Sequence, residues 1–107
     1  MTRRVVFEPE AQADLDELFA WIAERADVAT AERYMARIRR PCERLDIFPE
    51  RGTMRDDIAP GLRLFGIERR VTIAFKVYDD RVSIIRVLYG GRDVEAILRG
   101  ESDDDLS

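Results

Sequence analysis

Residues 71–89 read "VTIAFKVYDDRVSIIRVLY". Val71, Ile73, Phe75 and Val77 alternate with Thr72, Ala74, Lys76 and Tyr78, which is the two-residue period of a half-buried strand. Asp79 and Asp80 fit a tight turn, and Val82 to Tyr89 supplies a second apolar run, so the unit predicts an antiparallel hairpin. Upstream, Pro60-Gly61 closes a loop over 50–61 and Leu62 to Ile67 predicts a further strand. Downstream, Gly90 and Gly91 release the chain from the sheet edge in conformations other residues resist. Asp93 then caps a short helix, Val94 to Leu98. The end of the chain is therefore a three-stranded meander with a helical appendix.

The first half has the other period. After a short strand, Val5-Val6-Phe7, Pro9 opens a helix at the position where its missing N–H costs nothing. Ala11, Leu15, Leu18, Phe19, Ile22 and Ala26 form one apolar stripe at three- and four-residue spacing. Trp21 flanks that stripe, as core edge or as an anchor for a partner. Asp27 caps a second helix whose stripe is Ala31, Tyr34, Met35, Ile38, Cys42, Leu45 and Phe48. Pro41 removes the amide bond to the Arg37 carbonyl, but the stripe keeps its phase across it, which predicts one bent helix. Pro49 to Gly52 ends it. A helical hairpin laid on one face of a mainly antiparallel sheet is an α+β two-layer sandwich of order β-α-α-β-β-β, with a short C-terminal helix.

Composition bounds the chemistry. A chain of 107 residues fits one domain, predicted over 1–99, followed by an acidic tail over 100–107 expected to be disordered. Histidine is absent, which removes Ser–His and Cys–His pairs, the usual base near neutral pH and the commonest metal ligand. One cysteine, on an apolar stripe, forms no intrachain disulfide and reads as core filler. No cofactor or metal is expected. The net charge of −4 runs against a nucleic-acid binder, whose affinity comes from a basic footprint. The run Arg37, Arg39, Arg40 and Arg44 reads as a solvated helix face. With no signal-peptide pattern and no long apolar run, a soluble cytoplasmic protein is expected.

In order and spacing, "FEPEAQADLDELFAWIAER" (7–25), "ATAERYMARI" (29–38), "LDIFPERG" (45–52), "PGLRLF" (60–65) and "IIRVLYGGRD" (84–93) resemble the RelE/ParE toxin superfamily, its ParE branch in particular. The likeness runs from about Val5 to Leu98. It implies a small cytoplasmic toxin held silent by direct binding of an antitoxin, here ParD-like, in a heteromeric complex. The ParE branch typically acts on DNA gyrase, whereas the RelE branch cleaves mRNA on the ribosome. The family usually has Ser or Thr before the helix-opening proline, where Glu8 stands here, and the proline at 41 is not expected of it.

RelE-like sequences place an arginine before the last hairpin, another past the final strand and a tyrosine in the terminal helix. The matching positions hold Thr72, Arg92 and Leu98, so only Arg92 is retained. The resemblance therefore implies a toxin that works by binding and has no catalytic residues. A ribosome-dependent endoribonuclease is the alternative, and a degenerate toxin kept as a binding module is a third reading. Trp21, Tyr89 and Arg92 are the candidate residues for target or antitoxin binding, with Arg92 equally readable as a surface or ion-paired arginine. No membrane and no direct nucleic-acid contact is expected.

Overall fold

Pro9 and Asp27 start the two helices. The computed structural model describes residues 3–90 and 93–100, and in it α1 spans Pro9–Arg25 and α2 Val28–Glu43, after a first strand β1 over Arg4–Phe7. The Asp27 carboxylate accepts the Thr30 N–H at 2.7 Å, satisfying one of the free donors of the first turn. Glu8 makes no such cap; its side chain instead accepts a long 3.4 Å bond from the hydroxyl of buried Ser83. The stripe of α1 is buried at Ala11, Leu15, Leu18 and Ile22, but Ala26, at the helix end, is exposed.

The second helix runs through Pro41, which stands two residues from its end at Glu43. A 3-10 turn, Arg44–Asp46, follows. That tighter turn ends the helical phase. Leu45 is fully buried, whereas Phe48, expected on the core stripe, is 58% exposed.

Four strands follow: β2 (Thr53–Met54), β3 (Leu62–Ile67), β4 (Val71–Val77) and β5 (Arg81–Tyr89), then α3 (Val94–Arg99). The segment expected to be all loop thus contributes the two-residue edge strand β2. The sheet order is β1-β5-β4-β3-β2. The meander is antiparallel, while β1 pairs in parallel with β5, Arg4 to Arg81 through Phe7 to Ile84. The last long strand therefore lies inside the sheet, between β1 and β4. A bulge between Ala74 and Phe75 lets Ile85 of β5 fall out of register.

One core lies between the helices and one face of the sheet. Phe65, Ile67, Val71, Ile73, Phe75, Val82, Ile84 and Val87 meet the stripes of α1 and α2 there. Each fully buried large side chain in it contributes roughly 1.5–3 kcal/mol. Cys42 belongs to that core, and burial pushes its thiol up to about 12. The short helix α3 is tethered to the β2–β3 connection, with Arg55 bound to Glu95 and Arg99 to Asp57 at 3.3 Å. The acidic stretch 101–107 lies outside the described residues.

Two expectations are testable here. Gly52 has φ of +83° and a Cβ added to it would stand 2.3 Å from the Leu64 carbonyl oxygen, so Gly52→Ala should lower the urea unfolding free energy by about 2 kcal/mol or more. Cys42 should not react with a thiol reagent at pH 8 in the native protein and should react fully in denaturant; fast native labelling would contradict its burial.

Candidate functional site

At Phe7 and Ile84 the pairing of β1 with β5 stops, and the chain turns through Glu8 into α1. Among the described residues, that side of β5 has no strand neighbour from Ile85 onward. Its backbone donors then require water or a side chain. Asp14 of α1 meets the need. Its Oδ2 accepts the Val87 N–H at 2.9 Å and Arg86 Nε at 2.8 Å, while Oδ1 accepts Arg86 Nη2 at 3.0 Å. The Asp14 side chain is only 9% exposed. A forked, charge-assisted pair of this kind fixes orientation as well as adding energy. Its hydrogen bond to Asp14 raises the Arg86 pKa above the ordinary guanidinium value, against the opposing effect of burial.

Beside this junction Asp14, Glu17, Leu18, Trp21, Val87 and Tyr89 line a cleft of about 240 Å³. The rings of Trp21 and Tyr89 lie 6.0 Å apart between centroids, tilted by 50°, and Tyr34 of α2 meets Tyr89 edge-on at 6.2 Å. The Arg25 guanidinium lies over the indole, 4.3 Å from its centre. Such aromatic and cation–π contacts hold a side chain in place at small entropic cost. Trp21 nevertheless stays 45% exposed. Burial raises the pKa of the Tyr34 hydroxyl, and nearby Tyr89 adds to the shift.

The turn between β3 and β4 is strained. Glu68 and Arg69, between β3 and β4, have φ of +51° and +61°, a region few non-glycine residues adopt. Glu68 is held there by a forked ion pair with Arg37, whose guanidinium lies 5.8 Å from the centre of the Tyr34 ring.

Of the three residues expected to form a site, Trp21 and Tyr89 are brought together, and Arg92 lies outside the described residues. Gly90 leaves the sheet with φ of +84° while its N–H donates to the Arg70 carbonyl at 2.9 Å; its neighbour Gly91 is also outside the described residues. Asp14, which lines the cleft, and Arg25 and Tyr34, which contact its two rings, were not singled out in the sequence as site residues. For Asp14 the signal was present. Ala11, Asp14, Leu18, Trp21 and Arg25 are spaced by three and four, so a carboxylate stands on the ridge that also carries apolar contacts. Chemically, the arrangement offers an apolar and aromatic floor with acidic Glu17 on its rim, suited to holding a peptide. Among the described residues no group of three or more His, Cys, Asp or Glu is placed to hold a metal ion.

Removing the carboxylate should show how far the junction depends on it. Asp14→Ala leaves the Val87 N–H and the part-buried Arg86 without their acceptor and should cost about 2–4 kcal/mol in urea melts. Asp14→Asn keeps one acceptor oxygen and should cost clearly less; equal and small losses in both would mean the junction is held by packing alone.

Comparison with known proteins agrees with this architecture. The family profile described as ParE toxin of type II toxin-antitoxin system, parDE, matches residues 5–94. The toxin ParE3 of Caulobacter vibrioides is 32% identical over 95 residues, covering 89% of this chain and 94% of that protein. The toxin ParE1 of Mycobacterium tuberculosis is 27% identical over 95 residues, covering 89% and 97%. A solved structure of the chromosomal ParDE system from P. aeruginosa superposes with a TM-score of 0.72 at 21% identity, over 83% of this chain and 97% of that one, and so shares its fold. With the profile spanning strand, helical hairpin and meander alike, the chain belongs to the ParE toxin family of type II toxin–antitoxin systems.

Proposed function

We propose that this ParE-family toxin acts by binding DNA gyrase, and that a ParD-like antitoxin silences it by occupying the cleft between α1 and β5. The observation that carries the reading is the state of Trp21: half exposed, yet held in contact with both Arg25 and Tyr89. A pre-set indole over an apolar floor is the kind of side chain that dominates protein interfaces, because little freedom is lost when it is covered. An antitoxin segment that folds on binding would bury this surface and present a cation to Glu17. The complex is then heteromeric and cytoplasmic, and needs no cofactor.

A nuclease would have to activate a 2′-hydroxyl and protonate a leaving oxygen. Thr72 pairs with Leu88 inside the sheet, and Leu98 sits in α3, at the two places where RelE-like enzymes carry charged or phenolic groups. Neither side chain titrates near neutral pH. Binding without catalysis is the reading these residues support.

Purified toxin should inhibit gyrase supercoiling and produce no codon-linked cuts in primer extension on cellular mRNA. The antitoxin should raise the melting temperature markedly, since it binds only the native state. Trp21→Ala should fold normally and lose about tenfold or more in antitoxin affinity. Cuts that vanish in Arg92→Ala would replace this reading with the ribosome-dependent endoribonuclease.

A further inference from the structure

A second surface lies at the opposite end of the sheet, where α2 gives way to the 3-10 turn. A groove of about 780 Å³ opens there, larger than the aromatic cleft. Its floor is Pro41, Leu45, Ile47 and Phe48, and Ile47 and Phe48 are 61% and 58% exposed. Two adjacent large apolar side chains exposed to this degree, beside two prolines, form a patch rather than scattered surface residues. Three arginines rim it, Arg3, Arg44 and Arg51, against one carboxylate, Glu50. Arg40 extends the basic side through the adjoining depression over Pro41, where Arg37 is paired with Glu68. This is a local excess of positive charge in a chain whose net charge is −4.

Cations near the end of α2 have a structural use, because they oppose the negative end of the helix dipole. That use covers Arg40 and Arg44; Arg3 and Arg51 come from other segments. There Arg3 Nε donates to the Tyr78 carbonyl at 2.8 Å and the Arg51 guanidinium lies 4.8 Å from the centre of the Phe65 ring, contacts that neutralise neither charge. Among the described residues, the guanidinium of Arg44 makes no ion pair and no hydrogen bond. The walls are also held in place from below. The Arg3 N–H donates to the Asp46 carbonyl, the N–H groups of Ile47 and Phe48 both donate to Arg44, and Arg63 reaches from β3 to the Glu50 carbonyl at 2.9 Å. A groove fixed this way loses little freedom when filled.

We infer that the Phe48 groove is a docking site for an acidic peptide segment of a partner protein that carries a bulky apolar side chain. The carboxylates meet the Arg44–Arg51 rim, and the apolar side chain fills the floor beside Phe48. A second copy of this chain fits poorly, because a two-fold contact through this face would set its arginine rim against itself. Nucleic acid fits poorly because the floor offers apolar side chains where phosphates need donors, and the chain as a whole is acidic. The surface is separate from the Trp21–Tyr89 cleft, and its role does not depend on how that cleft is used.

The test uses the full-length protein and a fluorescein-labelled peptide of alternating glutamate and leucine ending in phenylalanine. Polyglutamate, the same peptide with lysine for glutamate, and a single-stranded oligonucleotide are the comparison probes. The acidic–apolar peptide should bind about tenfold or more tightly than each of the others, and salt should weaken it. Phe48→Ala and Arg44→Glu should each lose about tenfold, with melting temperatures close to the parent, whereas Trp21→Ala should change affinity less than about twofold. Ile47→Ser provides a second, independent exposed substitution with the same expected loss. Binding of the oligonucleotide as tight as that of the peptide overturns the proposal, as does concentration-dependent dimerisation abolished by Phe48→Ala. Tighter peptide binding when Asp103, Asp104 and Asp105 are all asparagine would assign the groove to the chain's own acidic end and overturn it as well.

Discussion

Asp14 does for β5 what a neighbouring strand would otherwise do. β1 covers only the first half of β5, and the helix that follows β1 has to turn back over the half that is left bare. A helix has no backbone groups free to complete a sheet ladder, so the join between the layers must be made by a side chain. One carboxylate takes the Val87 amide and both arms of the Arg86 fork. That contact sets how α1 lies along β5, and so brings Leu18 and Trp21 over Val87 and Tyr89. The cleft is a by-product of the way the sheet edge is closed.

Much of this architecture was legible because its periods are strong. The alternation through Val71, Ile73 and Phe75 and the stripe of Ala11, Leu15, Leu18 and Ile22 admit one reading each, and the capping aspartates at 27 and 93 mark their helices correctly. The strand β2 was not legible. Its two residues, Thr53 and Met54, are exposed and carry no alternation, and their pairing is fixed by Gly52 packing against the Leu64 carbonyl, a contact distant in sequence. Phe48 misled for a related reason. A stripe extrapolated at the α-helical period assumes that the helix continues, but a single 3-10 turn rotates the next residues off the core.

The candidate site was half legible. Trp21 and Tyr89 could be named from their places at the margin of a stripe and the end of a strand, yet nothing in the sequence states that they meet. The meeting depends on the parallel register of β1 and β5 and on Asp14, both long-range. Pro41 shows the converse case. As a residue it disfavours a helix, yet the stripe keeps its phase across it and α2 does pass through, giving up the amide bond to the Arg37 carbonyl two residues before its end. Its ring then becomes part of the wall of the Phe48 groove instead of a punctuation mark.

The position of β5 has a consequence for how such a chain comes into being on the ribosome. The last long strand to be synthesised is the one that sits between β1 and β4. Until it emerges, β1 has no partner, α1 has nothing to receive Asp14, and the apolar stripes of both helices face solvent. Closing the sheet joins residues at opposite ends of the chain, a costly loop that only the finished polypeptide can close. A nascent or truncated chain therefore presents neither the aromatic cleft nor a sheet centre. For a chain of this family this amounts to a built-in delay: the aromatic cleft forms only once β5 has been made, and termination before that point yields a product for proteolysis.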